Sequence, residues 1–101
     1  HAGLDEEAKE YWKYGTSDYM MTNKYPPTVG KFLKTIIAGH VYSDEVGDSS
    51  YFGKVFWDEM SHFYIDGNTN KSGIVPVLKY DTITQTYTSG EMLVVIKRGK
   101  K

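Results

Sequence analysis

The chain has 101 residues and a formal charge of −1, with 12 basic and 13 acidic side chains interspersed. That length suits one domain with one hydrophobic core, and the charge balance argues against nucleic-acid binding, whose phosphate contacts show as a basic excess. The lack of cysteine excludes disulfides, thiolate zinc sites and thiol nucleophiles within these residues, and no apolar run approaches the roughly 20 residues of a membrane span.

His1-Ala-Gly-Leu4 carries no signal-peptide pattern and reads most simply as a tag remnant. A free amine with its own imidazole at His1 would chelate copper only if a second histidine lay near. Asp5 to Tyr14 reads as a first helix, with Leu4, Ala8, Tyr11 and Trp12 on one face and Asp5, Glu6 and Glu7 at its positive end. Ser17 to Thr22 is expected to be a short strand. Pro26-Pro27 imposes an extended connection. Val29, Phe32, Leu33, Ile36 and Ile37 then follow the i, i+3, i+4, i+7, i+8 spacing of one helix face, with Thr28 as N-cap and Gly39 as stop, which predicts a helix over Thr28–Ala38.

His40 to Ser50 has no period and reads as a loop. Tyr51 to Trp57 alternates as a strand, with Tyr51, Val55 and Trp57 opposite Phe52, Lys54 and Phe56. His62 to Ile65 returns, Asp66 to Gly73 is a loop of turn-forming residues, and Ile74 to Tyr80 is a strand marked as an edge by Pro76. Thr84–Thr88 and Glu91–Lys97 form a final hairpin across Ser89-Gly90, with Met92–Ile96 apolar on both faces and hence the most buried strand. The expected fold is a small α+β domain spanning residues 1–101, with one or two helices packed on a four- to five-stranded, mainly antiparallel sheet.

Chemistry-bearing residues are few. His40 and His62 with an acid from Asp44, Glu45 or Asp48 are the right types for a metal-dependent or acid–base hydrolase, but their spacing fits no H-E-x-x-H pattern. Asp66-x-Asn68-x-Asn70-x-Ser72 opens like a calcium loop, yet Lys71 replaces the turn glycine and Val77 the bidentate glutamate. Thr35-Ile-Ile-Ala-Gly-His40 resembles the strand that carries the catalytic histidine of the sortase transpeptidases. That resemblance implies a cysteine nucleophile and a downstream arginine on a closing barrel; with no cysteine present and no further likeness, the motif is set aside.

Aromatic residues are abundant, with nine Tyr, four Phe and two Trp. Tyrosine tolerates one wet end, so this excess points to rings at the surface as well as in the core. A sheet covered on one side leaves one ring-bearing face open, and exposed Tyr and Trp patches mark interfaces. The expected function is therefore a non-catalytic module that binds another protein chain or its own copy through Tyr51, Trp57, Tyr64 and Tyr87. No cofactor, metal, nucleic acid or membrane is implied. Single-stranded nucleic-acid binding has the rings but lacks a basic groove.

Overall fold

A computed structural model describes residues 1–93. The 3-10 helix Glu6–Tyr11 runs into α1 (Trp12–Gly15), followed by α2 (Asp18–Asn23), β1 (Ile36–Tyr42), α3 (Ser43–Val46), the 3-10 helix Ser49–Tyr51, β2 (Phe56–Trp57), β3 (His62–Asp66), α4 (Thr69–Ser72), β4 (Ile74–Asp81) and β5 (Thr86–Leu93). The fold is α+β as expected, but the strands form two sheets. The first has the order β1-β3-β2, with β1 parallel and β2 antiparallel to β3; the second is the antiparallel hairpin β4-β5.

The predicted Thr28–Ala38 helix does not form. Gly30 adopts φ +112, outside helical space. Backbone polar groups of this segment are taken by the 58–61 turn instead. Gly30 N–H donates to the Asp58 carboxylate at 2.7 Å, Phe32 N–H donates to Ser61 Oγ at 2.8 Å, and Ser61 Oγ–H returns to the Phe32 carbonyl at 3.0 Å. The β-branched run Thr35-Ile36-Ile37 then favours a strand, and Ile36, Ile37 and Ala38 pair with His62, Phe63 and Tyr64. The apparent helical period arose because Ile36 and Ile37 lie on opposite faces of β1, Ile36 buried and Ile37 exposed.

Ser17–Thr22 is likewise corrected, from strand to helix. Ser17 caps α2 by accepting the Met20 N–H at 3.0 Å, and Asp18 suits the first turn. Only Phe56–Trp57 of the predicted Tyr51–Trp57 strand is extended, because Gly53 turns the chain at φ +75. The last hairpin turns at residues 82–85 rather than Ser89-Gly90. Asp81 accepts the N–H groups of Ile83 and Thr84, and Gln85 takes a left-handed φ of 57°. Ser89 and Gly90 lie within β5, opposite Leu78 and Val77. Of the predicted buried strand Met92–Ile96, residues 94–96 lie outside the described residues.

The core occupies one face of the first sheet. Ile36, Ala38 and Tyr64 are buried there beneath Leu4, Phe32, Val46 and Phe56. The opposite face carries Ile37, Phe63 and Trp57, and the β4-β5 hairpin lies over part of it through Tyr87. Gly67 permits that docking: a Cβ there would sit 2.6 Å from Pro76 Cγ.

Candidate functional site

Register brings four rings into a row across both sheets. Trp57 is directly opposite Phe63 on neighbouring strands, and their rings stack at 4.2 Å and 18°. Phe63 meets Tyr87 of the hairpin at 4.7 Å, and Tyr87 meets its cross-strand partner Tyr80 at 4.7 Å. Phe63 is buried at 6% exposure, whereas the ends of the row stay open, Trp57 at 37% and Tyr80 at 49%. Beside the row runs a groove of about 420 Å³, lined by Val55, Trp57, Phe63, Leu78, Tyr87 and the 86–89 hydroxyl side chains. None of these lining residues is charged.

Of the four ring contacts expected from sequence, Trp57 and Tyr87 belong to this row. Tyr64 does not: it is 2% exposed and its hydroxyl donates to the Thr28 carbonyl, so it serves the core face. Burial, then the nearby Glu6 carboxylate, pushes its phenol up to about 12. Tyr51 also lies on the core side, edge-on to Phe56 at 4.8 Å. The alternation expected to put it beside Trp57 is interrupted, since residues 49–51 are helical and not extended. Phe63 and Tyr80, which sequence reasoning did not select, complete the row. Phe63 was detectable from its alternation with His62 and Tyr64, but Tyr80 required the hairpin register.

His40 and His62 do not converge. His62 pairs with Ile36, four residues before His40, a strand distance of about 13 Å. The His62 side chain is fully buried between two carboxylates, with Nε2 at 2.6 Å from Glu6 Oε2 and Nδ1 at 2.9 Å from Asp58 Oδ2. Both ring nitrogens are thereby engaged by carboxylate oxygens. No nitrogen is left for a metal or a substrate. Asp58 also accepts the N–H groups of Gly30, Met60, Ser61 and His62. Burial alone would raise its carboxyl, but these backbone bonds and the His62 ring outweigh it and hold Asp58 at about 2. The arrangement ties the N-terminal segment, through Glu6, to β3 and the 58–61 turn. Asp48, one of the acids expected near the histidines, instead accepts from Ser50 as a helix cap.

His40 is held differently. Alternation from Ile36 and Ala38 would bury it, but the β1–β3 register shifts after Ala38, so Val41 is buried and His40 is exposed. The bulge is reached at φ 69, in left-handed space. No protein family, curated protein or solved structure matches this chain.

Proposed function

We propose that this chain is a non-catalytic protein-binding or self-assembly module, and that the row Trp57–Phe63–Tyr87–Tyr80 is its contact surface. The observation that carries this reading is a continuous aromatic row whose two ends are open, 37% exposed at Trp57 and 49% at Tyr80, beside an uncharged groove. Interface centres are depleted of charge and enriched in Tyr and Trp, and such rings bring large area at little entropic cost. Static light scattering at two protein concentrations tests self-association first. Mass is expected to rise with concentration, and Tyr80→Ser is expected to reduce that rise while leaving the far-UV spectrum unchanged. Identical scattering by the parent and Tyr80→Ser proteins at every concentration, with the parent monomeric, would remove self-association and leave only a different protein partner.

A further inference from the structure

We infer that His1 and His40 together form a two-imidazole site for a late first-row divalent cation, with Cu(II) the tightest ligand. Thirty-eight residues separate them in sequence, yet the Gly39 N–H donates to the His1 carbonyl at 2.7 Å and sets the two residues side by side. Their ring centroids lie 5.4 Å apart at 66°. Two imidazoles bound to one ion at about 2.0 Å per bond place their centroids about 4.5–6 Å apart, so the observed separation already suits a shared ion.

His40 reaches this position against its own strand. Without the bulge it would point into the core with Ile36 and Ala38; with the bulge it stands in solvent at φ 69. Bulges that re-aim a side chain, and non-glycine residues in left-handed space, concentrate at functional positions. Both rings are exposed, in contrast to fully buried His62, so their nitrogens are open to an arriving ion. Imidazole is a preferred ligand of copper, nickel and zinc, and among these divalent ions Cu(II) binds a given nitrogen site most tightly. Among the described residues no group of three His, Cys, Asp or Glu side chains converges, so the two imidazoles are the side-chain ligands the site offers.

The test uses protein in which residue 1 carries no free amine, so that only its ring can act as a ligand there. Titration with a Cu(II) salt is expected to show one ion per chain. In proton NMR, Cu(II) is expected to broaden the ring signals of His1 and His40 while His62 stays sharp as an internal control. His40→Asn, which tolerates left-handed φ, is expected to keep the fold and weaken Cu(II) binding by roughly tenfold or more. Unchanged affinity in His40→Asn overturns the inference, as does broadening confined to His1. Should the variant unfold, the broadening pattern of the parent protein still decides.

Discussion

At the residue scale, His62 shows how a side chain that looks catalytic in sequence becomes structural in the fold. Its exposure is 0%, and its partners Glu6 and Asp58 are 10% and 6% exposed, so the bonds are shielded from competing water. Removing the His62 ring deprives Glu6 of this partner and leaves Asp58 with its backbone donors alone. His62→Ala is therefore expected to cost about 3–5 kcal/mol in urea unfolding, far more than truncation of exposed His40. Asp58 adds a pH dependence of defined sign. Its folded carboxyl is held at about 2, below the ordinary 3.8, so it stays ionised in the folded chain at pH values where the unfolded chain takes up a proton. Its stabilisation is complete above the ordinary value and drains away as pH falls through about 2. The shift corresponds to about 2 kcal/mol, expected to be lost between about pH 5 and pH 2. Urea melts across that range check it: Asp58→Asn is expected to be less stable near neutrality and to show a flatter acid limb. Equal acid slopes in the two proteins would remove Asp58 as the cause.

At the element scale, β1 is where sequence pattern and tertiary structure part. The spacing of Val29, Phe32, Leu33, Ile36 and Ile37 fits a helix, yet only Ile36 of these is buried; Val29 and Leu33 are 53% and 54% exposed. Leu33→Ala is thus expected to change stability by no more than about 0.5 kcal/mol, while Ile36→Ala costs about 2–4 kcal/mol. Denaturant titration separates strand from helix here, since a helix would make Leu33 the costly position. The strand was written locally in Thr35-Ile36-Ile37, but the deciding information was distant: the acceptor at Asp58 and the hydroxyl at Ser61 that capture Gly30 and Phe32. Strand β3 and most of β4 were legible because alternation and flanking turn residues agree there. The hairpin turn was not, because Thr82-Ile-Thr-Gln85 contains no glycine, proline or asparagine and depends on the Asp81 carboxylate. Misplacing that turn hid the pairing of Tyr80 with Tyr87, and with it the open end of the aromatic row at Tyr80. The bulge at His40 was illegible for a related reason: its two extra residues are set by the pairing of Tyr42 with Asp66 on the neighbouring strand.

At the scale of the whole molecule, the two faces of the first sheet divide the labour. One is closed by the N-terminal segment and the 28–35 connection, and it holds Tyr64 and His62. The other is only part-covered, because the hairpin that lies on it touches Phe63 through Tyr87 and leaves Trp57 open at one end. Trp57 is therefore the ring whose removal best separates association from folding. It stacks on Phe63 and so contributes some stability, but it is 37% exposed, unlike Phe63 at 6%. With Trp12 replaced by phenylalanine to isolate the signal, Trp57 emission is expected to be quenched in part by iodide in dilute protein, and less in concentrated protein if copies pack through the row. Trp57→Ser is expected to keep the far-UV spectrum and a cooperative melt while weakening association by about 2 kcal/mol, close to thirtyfold, as for a central interface aromatic. The measurements are light scattering and quenching of the same samples across a roughly hundredfold concentration range, because assembly is driven by mass action. A chain that stays monomeric throughout, with Trp57 shielded from iodide even when dilute and the Trp57→Ser protein unfolded, would make these rings core and leave the row no contact surface to offer.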